Sequence, residues 1–264
     1  MNLDWKSFCE KITDSIWKAI KPIVGTDEAS IRIKKYKKDT KKIDVIAEDI
    51  VIDQLKKEKM DVTLLSEEIG KLQIGSDPKY TIILDPIDGT TNSVRGLPFF
   101  STSIAVAKGN TFEDLIFGYV KNYLTGEIFY VNQNGALYND KECKSSTCTY
   151  LNKALISLYS YSNVNYNLIR KILSKIRKMR LFGAISIELM YVGCNILDGL
   201  VDLRGDLLLT DIAAGILFIK KVGGMVSRAN GDQFIGKLDM NERYTVLAAG
   251  NEVLFNKFLK IIRA

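Results

Sequence analysis

Histidine is absent from the 264 residues of this chain. That excludes a Ser-His-Asp or Cys-His nucleophilic centre and a histidine-ligated zinc site. Hydrolytic chemistry, if present, must run on carboxylates, hydroxyls, lysines or metal ions. Cysteine is sparse: Cys9, Cys143, Cys148 and Cys194, with no CxxC pair. A chain of this length needs no disulfide scaffold, so all four are expected to be buried or incidental thiols. Cys143 and Cys148 are near enough in sequence to meet across a short loop, though no bridge is expected. No apolar run approaches the roughly 18 residues of a membrane-spanning helix. The opening MNLDWKSFCE carries Asp4 and Lys6 and no apolar run, unlike a signal peptide. A cytoplasmic protein with no membrane partner is expected. Glutamine is scarce while lysine and isoleucine abound, a composition that leans toward thermophiles.

What is present suffices for a sizeable core: 47% hydrophobic and 26% charged residues, the balance of a globular protein. The length fits one large domain or two joined subdomains. The net charge of +6 suits a protein that handles anions, but it is spread along the chain, and nucleic acid is not the expected partner.

Trp5, Phe8, Ile12, Ile16, Ile20 and Ile23 recur at helical spacing over residues 3–23, as do Ile43, Ile46, Ile50 and Val51 over 43–57. Between them lies a basic stretch, residues 31–42, read as a solvated loop. Residues 61–70 are expected to form a short strand running into a polar turn, and further strands are expected at 80–85, STSIAVAKG, IFGYVKN and GEIFYVN, with a turn at Leu124-Thr125-Gly126. Beyond residue 150 strands and helices alternate: ALISLYS, a helix through Leu168–Ile176, MRLFGA, a helix over 185–197, and GLVDLRG. A helix follows, opened by Thr210 or Asp211 and closed at Gly223; then GGMVS, TVLAAG and a last helix capped by Asn251. The expectation is an α+β subdomain over 1–150 and an α/β subdomain over 151–264, packed as one unit.

The segment ILDPIDGTTNSVRG, residues 83–96, ends an apolar strand on two acids. Pro86 fixes its own φ and holds Asp85 extended, and Asp88 sits where a turn favours Asp and Gly. The two carboxylates and the Ile87 carbonyl can therefore converge, and three hard oxygens suit Mg2+. Gly89, Thr90 and Thr91 fit a helix start whose N–H groups face an anion. Taken alone, the segment also fits a capped strand-to-helix turn without chemistry. Glu67 and Glu68 just before the same strand, and Asp211 at a distant helix start, weigh against that reading.

In order, Ser66-Glu67-Glu68, Asp85 to Asn92 and Thr210-Asp211-Ile212-Ala213-Ala214-Gly215 resemble the motifs of the inositol monophosphatase family over nearly the whole chain. Ser66 replaces a usual glycine and Thr210 a usual tryptophan. With VDLRG before it, the latter looks more like archaeal enzymes of dual fructose-1,6-bisphosphatase and inositol-1-phosphatase activity than like the animal enzymes. The resemblance implies a layered α-β-α-β-α phosphatase fold and a homodimer. It also implies two or three Mg2+ ions, with Mn2+ as a substitute. Carried over by position, it assigns Glu67, Asp85 and the Ile87 carbonyl to one metal, and Asp85, Asp88 and Asp211 to another. Gly89 and Thr90 would hold the phosphate, with Asp88 beside the substrate. Thr90 and Glu67 would orient the attacking water, with Asp44 nearby and Glu68 behind. It further implies that Arg180, Ala184, Ile185 and Arg204 line the substrate pocket, with Glu188 among them, and that Asp39 carries a third metal. The implied reaction is metal-dependent hydrolysis of fructose 1,6-bisphosphate and inositol 1-phosphate without a phosphoenzyme. The alternatives are a 3'-phosphoadenosine 5'-phosphate phosphatase and a non-catalytic role binding RNA or RNA polymerase.

Overall fold

The computed structural model describes residues 4–35, 38–162 and 164–264, with Lys38 described through its backbone alone. Lys37 of the basic stretch and residue 3 of the first expected helix lie outside the described residues. The chain opens with α1 (Trp5–Ile20), the single turn α2 (Asp27–Ser30), the strands β1 (Arg32–Lys35) and β2 (Lys38–Lys41), and α3 (Lys42–Lys57). Next come β3 (Val62–Ser66), β4 (Gly70–Ile74), β5 (Tyr80–Asp88), α4 (Thr90–Arg95), β6 (Ser101–Ala107), β7 (Leu115–Asn122), β8 (Ile128–Asn132), β9 (Gly135–Tyr138) and β10 (Lys141–Glu142). The rest is β11 (Leu155–Tyr159), α5 (Tyr166–Leu173), β12 (Lys178–Arg180), α6 (Ile185–Gly193), β13 (Gly199–Leu207), α7 (Leu209–Lys221), β14 (Met225–Ser227), β15 (Tyr244–Ala249) and α8 (Glu252–Arg263).

These elements stack in five layers, α-β-α-β-α. An eight-stranded sheet, ordered β10-β9-β8-β7-β6-β5-β3-β4, and a five-stranded sheet, ordered β12-β11-β13-β15-β14, form the two β layers. The stripe Phe8, Ile12, Ile16 and Ile20 of α1 and the buried face of α3 cover the outside of the larger sheet. Burying such a side chain contributes about 1.5–3 kcal/mol. Helices α6 and α7 lie between the sheets, where nearly every side chain of α6 is buried, as expected of a helix walled in on both sides. Helices α5 and α8 cover the outer face of the smaller sheet. Gly118 of β7 lets α7 approach: a Cβ there would lie 3.2 Å from the Ala214 backbone. That contact brings the α7 N-terminus toward the end of β5. No helix among the described residues is long and apolar enough to cross a membrane.

Several expectations change. The basic stretch is a two-stranded antiparallel hairpin, β1 with β2, because Arg32–Lys35 pair with Lys38–Lys41. Of MRLFGA only the first residues pair as a strand with β11, since the backbone of Phe182 and Gly183 donates instead to Glu188. Helix α6 stops at Gly193, not 197, because Asn195 turns left-handed (φ 58°) and the N–H groups of Ile196 and Leu197 return to the Tyr191 carbonyl. Helix α7 begins earlier than expected, with Leu208 as its N-cap and Asp211 in its first turn.

The cysteines differ most. Cys143 is bonded to Cys194, 51 residues away, rather than being an incidental thiol, while Cys9 and Cys148 are free. The bridge pins the edge strands of the larger sheet to the C-cap of α6, a proximity that only the layering creates. Closing a loop of this length stabilises by about 2–4 kcal/mol. Cys194→Ser is therefore expected to lower the unfolding free energy by about that amount, read from the urea midpoint of the oxidised protein. Cys148→Ser should move it by less than about 0.5 kcal/mol, and a reductant should bring wild type and Cys194→Ser together.

Candidate active site

Parallel pairing of β3 with β5 places Ser66 opposite Leu84. The C-terminal ends of the two strands thus lie side by side, and the Glu67 N–H donates to the Leu84 carbonyl at 3.2 Å. Glu67 and Asp85, 18 positions apart in sequence, become neighbours through register alone. Between β5 and β6 the register slips: Asp85 faces Ser103, but Asp88 faces Ser101. Three steps on β5 oppose two on β6, a bulge at Pro86-Ile87. Pro86 has no N–H to lose there, and its carbonyl accepts from Thr102 Oγ1 at 2.6 Å. The bulge lets Asp85 and Asp88 both serve one site, where flat alternation would send them to opposite faces.

Gly89 follows in the left-handed region (φ 81°), and a Cβ there would lie 2.8 Å from the Phe99 carbonyl oxygen. Thr90 opens α4, and the first N–H groups of that turn have no intrahelical acceptor. Thr90 Oγ1 lies 3.0 Å from the Ile87 carbonyl oxygen and 3.2 Å from Asp44 Oδ1 on α3. Asp211, in the first turn of α7, accepts from the Leu208 N–H at 2.7 Å. The backbone also holds one oxygen of Asp85, which accepts from the Ile87 N–H at 3.0 Å. Asp88 Oδ2 accepts from the N–H of Ser186, at 2.8 Å, and from its hydroxyl. In each of these three carboxylates one oxygen is committed to the fold, leaving the second for a ligand.

Asp44, Asp85, Asp88 and Asp211 all bind protons more tightly than free carboxylates, burial being the largest cause in each. Burial, then Glu67, Asp88, Asp211 and Asp44, push Asp85 well above the ordinary carboxylate range. Burial, Asp88 and Glu67 do the same to Asp211. Burial, with Glu68 and Glu67, raises Asp44 to about 8. Burial raises Asp88 to about 6, with the Glu188 carboxyl adding to the rise, against the lowering hydrogen bonds from Ser186. Lys41 acts on Asp44 and Arg204 on Asp211, but neither offsets the crowding. Among the described residues no group of three or more acidic or thiol side chains forms a ready coordination shell. The carboxylates are neighbours rather than a closed cage. Their chemistry nonetheless fits hard divalent cations: the donors are all oxygens, and they crowd negative charge together.

The remaining expected residues scatter. Glu68 is buried and accepts from Thr40 Oγ1 at 2.5 Å, which places it behind the cluster. Ala184 caps α6 and packs toward Gly89, and Ile185 begins that helix; both are buried. Arg204 is half-buried and held by Asp202. It lies over the rings of Tyr159 and Tyr161 at 4.2 and 4.8 Å and donates to the Tyr161 hydroxyl at 2.6 Å. Arg180 is exposed on the edge strand β12 and turns onto the Met179 carbonyl. Asp39 is exposed on β2. Glu188 is fully buried, so it does not line a pocket. Ser186, Asp202, Tyr159 and Tyr161 were not singled out in the sequence. The period-2 alternation of a strand would have paired Asp202 with Arg204; nothing local marks Ser186.

Residues 9–264 match the inositol monophosphatase family. A fructose-1,6-bisphosphatase/inositol-1-monophosphatase of Methanothermobacter thermautotrophicus is 33% identical over 270 residues, covering 98% of this chain and 96% of the relative. A bifunctional NADP phosphatase/NAD kinase of Methanococcus maripaludis is 32% identical over 281 residues, and the chain, 98% covered, spans 49% of it. A protein of Pyrococcus horikoshii with similarities to inositol-1 monophosphatase superposes with a TM-score of 0.83 at 30% identity, covering 97% of each chain. The chain belongs to the inositol monophosphatase family, whose members are metal-dependent phosphatases.

Raised carboxylates bind protons more tightly folded than unfolded. Their stabilising contribution is complete below the unfolded value near 4 and is lost as pH climbs through about 6 for Asp88 and about 8 for Asp44. In EDTA the urea midpoint should therefore fall between pH 5 and 8. Asp44→Asn should flatten the upper part of that fall, raising stability at pH 8 by on the order of 2 kcal/mol. Adding Mg2+ should shrink the pH dependence of the wild type.

Proposed function

We propose, from membership of that family, that this protein is a Mg2+-dependent phosphatase of sugar phosphate monoesters, acting on fructose 1,6-bisphosphate and inositol 1-phosphate. The observation that carries the reading is the cluster of buried and half-buried carboxylates that crowd Asp85, beside an unsatisfied helix start. Glu67, Asp85, Asp88, Asp211 and the Ile87 carbonyl would hold two divalent ions, and Mn2+ would serve as well. Bound there, such ions supply charge for the phosphate and a low pKa for water.

The chain's own residues do the rest. The N–H groups of Gly89 and Thr90 hold the phosphoryl oxygens and fix their orientation. Glu67 and the Thr90 hydroxyl aim the attacking water and accept its hydrogen bonds. Asp44, 3.2 Å from Thr90 Oγ1, sets which way that hydroxyl points. When ionised, Asp44 would accept a hydrogen bond from the Thr90 hydroxyl, which leaves the hydroxyl oxygen free to accept one from water. Arg204, with its guanidinium plane fixed by Asp202 and two tyrosines, keeps two N–H groups for a second phosphate. Because donors are set before substrate arrives, little reorganisation is needed in the transition state. The same proposal includes a homodimer in the cytoplasm.

A second reading has one observation behind it. The Tyr161 ring, 45% exposed and stacked on Arg204 beside Asp211, is a platform on which a purine can lie. It fits a nucleotide phosphate, in line with the relative named for NADP phosphatase activity.

Phosphate release should require Mg2+ and vanish in EDTA. Asp88→Asn should lower kcat/KM by at least about 100-fold on every substrate. Arg204→Ala should raise KM for fructose 1,6-bisphosphate about tenfold or more and affect inositol 1-phosphate less. Comparing kcat/KM on both sugar phosphates and on NADP decides between the readings; a clear preference for NADP overturns the first.

A further inference from the structure

Glu188 is fully buried on the first turns of α6, and no cation among the described residues is bonded to it. Its Oε1 accepts from the Tyr159 hydroxyl at 2.7 Å, the Gly183 N–H at 3.0 Å and the Phe182 N–H at 3.2 Å. Its Oε2 accepts from the Ser157 hydroxyl. Two of these four bonds come from backbone N–H groups, which can only donate, and two from hydroxyls; burial raises the proton affinity of the group, and these bonds oppose that rise. Burying a carboxyl group is unfavourable for stability alone, and an apolar side chain of the same volume would often serve as well.

The bonds instead determine where the 182–186 backbone lies. The Phe182 carbonyl accepts from Asn92 of α4 at 2.7 Å. Gly183 and Ala184 stand against Gly89, their nearest atoms 3.3 and 3.2 Å from the point a Gly89 Cβ would occupy. Ser186 donates twice to Asp88 and shares a hydrogen bond with Ser101 at 2.9 Å. Two carboxylates thus divide the N–H groups around the start of α6: Glu188 takes Phe182 and Gly183, and Asp88 takes Ser186. Moving the first would shift the second.

We propose that Glu188 is a positioning residue. By anchoring the 182–186 backbone to β11, it sets the rotamer of Asp88 and the seat of Gly89, and so the affinity of the site for divalent cations. The proposal rests on the reading of Asp88 as a cation ligand.

The test is calorimetric titration of the metal-free full-length protein with Mn2+ alone, well below the melting temperature. Wild type, Glu188→Gln, Tyr159→Phe, Asp88→Asn and Leu189→Ala are compared. Leu189 is buried one position along α6 and reports plain destabilisation. Glu188→Gln should weaken Mn2+ binding about tenfold, the low end of what outer partners of ligands contribute. Tyr159→Phe should weaken it about two- to threefold, while Leu189→Ala lowers the melting temperature and leaves the affinity alone. Unchanged affinity in Glu188→Gln, or an equal loss in Leu189→Ala, overturns the proposal. If Glu188→Gln does not fold, Tyr159→Phe decides, and unchanged binding there is equally fatal. If Asp88→Asn binds Mn2+ as wild type does, the reading of the site fails and the proposal falls with it. If Asp88→Asn alone weakens binding, the reading stands and only the role of Glu188 is lost.

Discussion

Asp44, Asp85 and Asp88 are buried, Asp211 stands half-buried beside them, and Asp85 lies within reach of the charge of the other three. Repulsion between like charges grows as the dielectric falls, so separate supports must oppose it. Asp85 and Asp88 are fixed by the bulge in β5, Asp211 by the start of α7, Asp44 by α3, and Asp88 again by the start of α6. The fold stores a local electrostatic conflict that proton binding relieves in part.

That constraint makes sense of the layering. A single sheet with helices on one face could supply Asp85, Asp88 and Glu67, but not Asp211. Two sheets with α6 and α7 buried between them bring helix N-termini from the second half of the chain against the strand ends of the first. Helix starts suit the purpose because their N–H groups hold a carboxylate in place without adding a competing cation. The Cys143–Cys194 bridge joins the same two parts at the opposite end of α6.

Much of this was legible in the sequence. The apolar stripes of α1 and α3, the strand runs, and the caps at Gly223 and Asn251 depend on local spacing and backbone preference, which act over a few residues. The acids at 85 and 88 were legible because proline and glycine around them leave the backbone few choices. Boundaries set by tertiary demand were not: the left-handed Asn195 ends α6 early, and Phe182 and Gly183 leave β12 to bond Glu188. The hairpin in the basic stretch was missed because lysines on a two-stranded ribbon show neither an apolar period nor a turn signal. The exposed placement of Arg180 and Asp39 was equally invisible, since a charge at a strand end reads the same whether it faces a site or solvent.

By itself the sequence determined the local pieces: an apolar strand forced to stop on two carboxylates, a glycine-led helix start, and a chain without histidine that must work through oxygen donors. Only the tertiary structure decided which pieces meet. It set Glu67 beside Asp85 through parallel register, gave Asp88 to Ser186, buried Glu188 under four hydrogen bonds, and paired Cys143 with Cys194. The physical reason is range. Backbone preference and periodicity act along the chain, whereas hydrogen bonds and charge act through space, across distances that only the packed layers fix.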